Sequence, residues 1–189
     1  GGVLPIERSR FDLTDLARRV AEELQVTTTR HSLSVAAAGP IVVQADRRRI
    51  EEVLHNLLDN AIKYSPRGGP IAVRVYRAEF AAPPREDGQG ESGAPAEREG
   101  AMTTAAPEAV VEVTDQGIGI PSHDQPRIFE RFYQAAGTPY KGRVGLGLGL
   151  YISRELIARH GGRMWVESRV GVGSRFSFTL PLAGPPAED

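Results

Sequence analysis

Between Asp46 and Tyr64 the bulky apolar residues fall at Ile50, Val53, Leu54, Leu57, Leu58, Ala61 and Ile62. Steps of three and four wrap them into one wide stripe along a helix. So wide a stripe has to lie on a broad apolar surface, and a sheet is the natural one. Asp46 stands where an N-cap belongs, and Ser65-Pro66-Arg67-Gly68-Gly69 stops the helix. At ~100° per residue, Asn56, Asn60 and Lys63 share an arc of roughly 60° along one border of the stripe. Asparagine is a mediocre helix former, so two of them in mid-helix carry a cost. They read in two ways. Their carboxamide oxygens suit a hard cation, with a lysine one turn on for phosphate; or they are satisfied polar groups at the rim of the core.

The remaining elements follow from the same periodicities. Leu13, Leu16, Ala17, Val20, Ala21 and Leu24 predict a helix over Phe11 to Leu24, with Asp12 or Thr14 placed to cap it. Leu33 to Ala37 and Ile41 to Ala45 predict two strands with a turn at Gly39-Pro40 between them, and Ile71 to Tyr76 and Val110 to Thr114 predict two more. Ala81 to Pro107 is crowded with Pro, Gly, Ala and Glu, lacks the apolar residues to offset its ordering entropy, and reads as a disordered insertion. In the loop-rich stretch from Pro121 to Val144, Ser122 and Gln125 have capping-box spacing ahead of a short helix opened by Pro126. A third helix ends at His160, closed by Gly161-Gly162, and Met164 to Ser168 and Arg175 to Leu180 finish as strands. The expected class is α+β: a two-layer sandwich with a mixed sheet of about five strands packed on three helices.

The chain's 189 residues suit one domain. With 23 Lys plus Arg against 24 Asp plus Glu it has no basic excess, which argues against nucleic acid as a partner. The absence of cysteine removes disulfides, thiolate zinc sites and thiol nucleophiles, and the four histidines show no metal-ligand spacing. No apolar run approaches the roughly 20 residues of a membrane span, so a cytoplasmic setting is expected for this domain, with membrane anchoring of a longer parent protein left open.

Two glycine segments carry further chemistry. Val110 to Thr114 delivers Asp115 into the turn Gln116-Gly117-Ile118-Gly119-Ile120-Pro121. A buried carboxylate accepts hydrogen bonds and donates none, which suits the amino group of adenine and opposes the carbonyl of guanine. The alternative is an ordinary Asx turn. Gly145-Leu146-Gly147-Leu148-Gly149-Leu150 opens the third helix, where free N–H groups and the helix dipole make an anion site; a flexible hinge is the alternative. The spacing is neither a Rossmann fingerprint nor a P-loop.

In this order the segments resemble the ATP-binding domain of bacterial sensor histidine kinases, of the Bergerat-type fold shared with gyrase and mismatch-repair ATPases. Asn56 to Ser65 resembles the N box and Asp115 to Pro121 the first glycine box. Ile128-Phe129-Glu130-Arg131-Phe132-Tyr133 resembles the F box, and Gly145 to Leu150 the second glycine box. His160-Gly161-Gly162 and Gly171-Val172-Gly173-Ser174 are similar to the closing pattern. The resemblance implies ATP and Mg²⁺ as ligands. Asn60 would hold the metal with Asn56 in support, Lys63 would reach the phosphates, and Tyr64 would pack along the nucleotide. Asp115 would pair with adenine, Gly117, Gly119 and Ile120 would shape that wall, and Gly145, Leu146, Gly147, Leu148 and Gly149 would face the phosphates. Residues 122–144 would form a mobile ATP lid anchored by Phe129 and Phe132, with Lys141 or Arg143 neutralising the γ-phosphate.

Residues 1–10 would end a linker from a dimerisation domain that bears the phospho-accepting histidine, 11–183 would be the ATP-binding domain, and 184–189 a tail. None of the histidines has the phosphoacceptor setting: His31 sits in a loop or strand edge, His55 lies on the N-box helix, and His160 reads as a favourable charge at a helix end. The expected partners are ATP, that separate domain and, indirectly, a response regulator, with this domain monomeric alone. Val144 and Leu146 depart from the usual Gly and Thr or Ser, which leaves room for a degenerate nucleotide-sensing or docking module. The F box disfavours an anti-sigma serine kinase.

Overall fold

The computed structural model describes residues 5–79, 106–134 and 147–185. The chain runs β1 (Ser9–Asp12), α1 (Leu13–Gln25), β2 (His31–Ala37), β3 (Val42–Ala45), α2 (Arg47–Lys63), β4 (Gly69–Ala78), β5 (Glu108–Thr114), a 3₁₀ turn (Arg127–Phe129), α3 (Gly149–Arg159), β6 (Met164–Arg169) and β7 (Gly173–Pro181). The expected insertion Ala81 to Pro107 lies outside the described residues except for Ala106 and Pro107.

Five strands form one mixed sheet in the order β2-β4-β5-β7-β6, and β1 and β3 form a separate pair. Only β2 and β4 are parallel; β4, β5, β7 and β6 run antiparallel, with Ala78 opposite Glu108 at one end of the β4–β5 ladder and Ala72 opposite Thr114 at the other. The two strands flanking Gly39-Pro40 thus belong to different sheets: β2 pairs with β4, and β3 with β1.

Alternation decides which face of the sheet the helices cover. Ile71, Val73 and Val75 of β4, Val111 and Val113 of β5, and Phe176, Phe178 and Leu180 of β7 enter one core with Leu13, Leu16 and Val20 of α1 and Ile50, Leu54, Leu57 and Leu58 of α2. Each fully buried side chain of this kind contributes about 1.5–3 kcal/mol, so the apolar stripe of α2 is the largest single anchor. The opposite face carries a polar cluster: Glu112 accepts hydrogen bonds from Arg74 (3.1 Å) and Tyr76 (2.9 Å). Helices therefore cover one side only, giving the expected two-layer α+β sandwich.

The helix ends obey local rules. Asp12 accepts from the Thr14 N–H at 2.9 Å, and Asp46 from the Arg49 N–H at 3.3 Å. After α3, Gly161 (φ 79°) donates to Ala158 O and Gly162 to Ile157 O, the paired bonds of a Schellman ending. The expected capping box before the 3₁₀ turn does not form, because the Gln125 amide instead donates to Ile120 O (3.0 Å) and Ser168 O (2.9 Å). One bond to the preceding turn and one to β6 outweigh one local cap. Among the described residues no helix is long and apolar enough to cross a membrane.

Candidate functional site

α2, the turn after β5 and the start of α3 converge on one cleft of about 410 Å³. Asn56, Asn60, Lys63 and Tyr64 line it from α2 and its cap, Asp115, Gly119 and Ile120 from the turn, and Gly147, Leu148 and Gly149 from the far side. The end of α2 is stitched to the turn: the Ile118 N–H donates to Tyr64 O at 3.0 Å. A Cβ on Gly117 would overlap that carbonyl, so Gly117 shapes the wall by close approach without lining the cleft.

The Asx-turn reading of Asp115 holds, and it leaves one carboxylate oxygen over. Its Oδ1 accepts from the Gly117 N–H (2.8 Å), closing an Asx turn, and from the Ser174 N–H (3.2 Å). Its Oδ2 has no hydrogen-bond partner among the described residues and belongs to a cleft-lining side chain. Burial pushes the Asp115 carboxyl above the ordinary carboxylate value, and the two N–H groups oppose that rise.

The two asparagines differ in their hydrogen bonding. Asn56 is satisfied, its Nδ2 donating to Ser153 Oγ at 3.0 Å, and its Oδ1 lies so close to Gly149 that a Cβ there would overlap it. Asn60's carboxamide has no partner among the described residues. Lys63 places its Nζ 5.4 Å from the Tyr64 ring centroid and has no acidic partner among them; burial raises the Tyr64 hydroxyl pKa. At the start of α3, Leu148 supplies no side-chain cap and the first helical bond is Ile152 N–H to Leu148 O (2.8 Å). The N–H groups of Gly149, Leu150 and Tyr151 therefore lack helical partners. An ammonium without an acidic partner among the described residues and an uncapped helix start on one cleft make a seat for a polyanion.

Phe132 is a correction. It does not line the cleft; it is 68% exposed with φ 61°, and its N–H donates to Gly147 O (3.0 Å). That left-handed turn brings Tyr133 into the lining in its place, with the Tyr133 hydroxyl bonded to the buried Asp124 and Arg127 4.3 Å from the ring centroid. Phe129 is buried, edge-on against Phe176 at 6.4 Å. Lys141, Arg143, Gly145 and Leu146 lie outside the described residues. Among the lining residues that sequence reasoning missed are Asp59, Tyr133, Ser174 and Phe176. Ser174 closes the motif Gly171-Val172-Gly173-Ser174, and that was the signal available.

His160 is a second correction. Asp46 N–H donates to its Nε2 (3.0 Å) and its Nδ1 lies 2.7 Å from Leu156 O, so the ring is neutral rather than a charge at the helix end. The fold also gathers Glu23, Glu51 and His55, whose ligand atoms lie within 4.8 Å of one another. Sequence spacing hides that grouping because Glu23 comes from another helix. His55 and Glu23 pair at 3.2 Å on the partly exposed outer side of α1 and α2, and none of the three lines the cleft.

Residues 45–184 match the profile of the histidine kinase-, DNA gyrase B- and HSP90-like ATPases. The chain belongs to that family. Among curated relatives of this ATPase domain it is 32% identical over 149 residues to the sensor histidine kinase WalK of Bacillus subtilis, covering 79% of this chain and 20% of WalK. It is 31% identical over 182 residues to the adaptive-response sensory kinase SasA of Crocosphaera subtropica, covering 95% of this chain and 40% of SasA. It thus spans less than half the length of either. Among solved structures the mycobacterial sensor histidine kinase MprB superposes with a TM-score of 0.67 at 26% identity, covering 95% of this chain and 100% of that one. The ATPase-family fold brings residues of the N-box segment, of the first glycine box and of Gly147 to Leu150 to one cleft.

Proposed function

We propose that this chain is the catalytic domain of a two-component sensor histidine kinase. It binds Mg-ATP and presents the γ-phosphate to a histidine on a separate dimerisation domain, from which a response regulator receives it. The observation that carries this reading is the meeting, in one cleft, of a buried carboxylate with one oxygen left over, a carboxamide and a lysine without hydrogen-bonding or acidic partners among the described residues, and an uncapped helix start.

Asp115 Oδ2 accepts the adenine amino group while its Oδ1 stays fixed by two backbone donors. Lys63 and the first N–H groups of α3 hold the phosphates by charge and hydrogen bonding. Asn60 fits Mg²⁺, a cation that takes hard oxygen ligands, because its carboxamide oxygen is uncommitted, and Asn56 supports it. When bound, Mg²⁺ neutralises phosphate charge. The residue at position 56 is an amide, which cannot serve as a general base, so the domain leaves water unactivated and keeps the phosphoryl group for an imidazole nucleophile. Its contribution is positioning and charge neutralisation. Exposed Phe132 and Ile152 beside the cleft offer an apolar surface for the histidine-bearing domain. The ATP requirement supports a cytoplasmic location.

Incubation with [γ-³²P]ATP and the parent kinase's own histidine-bearing domain tests this. The expected product is acid-labile, alkali-stable label on that domain and no label on serine. Tight nucleotide binding without any transfer would reject the kinase reading in favour of a nucleotide-sensing module.

A further inference from the structure

The helices that frame the cleft also meet at their far ends. α3 starts at the cleft and ends at Arg159; α2 starts at Arg47, after Asp46, and carries Asn56, Asn60 and Lys63 further on. Where the end of α3 meets the start of α2 lies His160, 4% exposed. Its hydrogen bonds allow one state of the ring. The Asp46 N–H can only donate, so Nε2, 3.0 Å away, carries a lone pair. The Leu156 carbonyl can only accept, so Nδ1, 2.7 Å away, carries the proton.

Asp46 makes this contact more than a helix cap. Its Oδ1 accepts from the Arg49 N–H (3.3 Å) and its Oδ2 from the Glu7 N–H (3.0 Å). Beside it, Arg8 donates from Nη2 to Arg159 O, the last residue of α3, at 3.1 Å. Two consecutive residues arriving at β1 thus bond to the start of one cleft helix and the end of the other. Among the described residues the other side-chain hydrogen bond between α2 and α3 is Asn56 to Ser153 (3.0 Å), at the cleft end of both helices. At 1.5 Å per residue the junction stands about 15 Å from the first turn of α3, so a tilt of about 5° there displaces that turn by roughly 1.3 Å.

We propose that His160 is a positioning residue for the nucleotide cleft. As a neutral Nδ1–H imidazole it fastens the end of α3 to the start of α2. It thereby sets the spacing between the phosphate-facing turn and Asn60 and Lys63, and it places that spacing under the grip of Glu7 and Arg8. The proposal rests on the reading of the cleft as an ATP site.

Two substitutions separate this role from a structural one. His160→Gln keeps an acceptor at the reach of Nε2 for the Asp46 N–H, whereas His160→Asn keeps only a donor near the Leu156 carbonyl. Titration with a non-hydrolysable ATP analogue and Mg²⁺ should show affinity about tenfold weaker for H160N and within about threefold of wild type for H160Q, since misplacement by about an ångström is costly at such a site. Circular dichroism should show both variants folded. In the wild type, ¹⁵N NMR should show a protonated Nδ1 and a bare Nε2, a signature that does not depend on either variant folding. A protonated Nε2, or equal affinity in the two folded variants, overturns the positioning role and leaves the ATP reading standing. A wild-type domain that binds no nucleotide overturns both.

Discussion

Asp115→Asn changes one atom of the cleft and reverses its hydrogen-bonding sense. In the native side chain Oδ1 is held by Gly117 and Ser174, so the asparagine oxygen takes that place and its amide nitrogen replaces Oδ2. The adenine amino group then meets a donor. Losing a charge-assisted bond and opposing two donors costs about 2–4 kcal/mol, about 30- to 700-fold in Kd. The carbonyl of guanine gains the partner it lacked, so the preference for ATP over GTP collapses or inverts. Stability moves the other way. The folded pKa of Asp115 is raised, chiefly by burial, above the ordinary 3.8. A raised acid stabilises the fold below the ordinary value and loses that contribution as pH rises through the folded one, so at neutral pH the charge is a cost that asparagine removes. Calorimetry with ATP and GTP analogues, beside thermal melts at several pH values, gives both readouts. A variant that binds the ATP analogue within about threefold of wild type, with no relative gain for GTP, would refute the assignment of Asp115 as the base reader.

Three further outcomes follow from the same geometry. Asn60→Ala should abolish most of the Mg²⁺-dependent part of ATP-analogue binding and leave metal-free binding nearly unchanged; equal loss with and without Mg²⁺ would remove Asn60 from the metal site. Gly149→Ala should weaken binding about tenfold or more in a folded protein, because the new Cβ pushes on Asn56 Oδ1 at the phosphate-facing turn; unchanged affinity would mean that this turn is not in contact with the nucleotide. For Asp46, burial alone would raise the carboxyl, but the N–H groups of Glu7, Arg49 and Arg48 with the Arg49 charge outweigh it and hold it below 3.8. Its stabilisation is present above 3.8 and lost as pH falls through the lower folded value. Urea unfolding of Asp46→Ala should therefore show a deficit of about 1–2 kcal/mol at neutral pH that shrinks in acid.

The sequence announced what is local and hid what depends on a distant partner. The stripe of α2, its Asp46 cap and the Gly161-Gly162 ending all follow rules that span a few residues. β1 stayed invisible because Ser9–Asp12 is four residues with no alternation, given strand form by β3. The strands beside Gly39-Pro40 were legible as strands, yet their allegiance to different sheets is set by β4 and β1, which no turn encodes. At the site, Asp115 and the asparagine arc could be read from residue chemistry. That Tyr133 and not Phe132 faces the cleft is fixed by a positive φ and a bond to Gly147, and the neutral state of His160 by a backbone N–H far away in the chain.

The β4–β5 ladder has a consequence for building on this domain. Ala78 and Glu108 are cross-strand partners, so the ends of whatever connects them stand about 5 Å apart. That end is the opposite extremity of β5 from Thr114 and Asp115, about 20 Å along the strand. Lengthening a connection whose ends are already apposed adds only about 0.6 kcal/mol of closure entropy per doubling. The position is therefore a port: a fluorescent or affinity module spliced between Glu79 and Ala106 should fold beside the domain while the nucleotide cleft keeps its affinity.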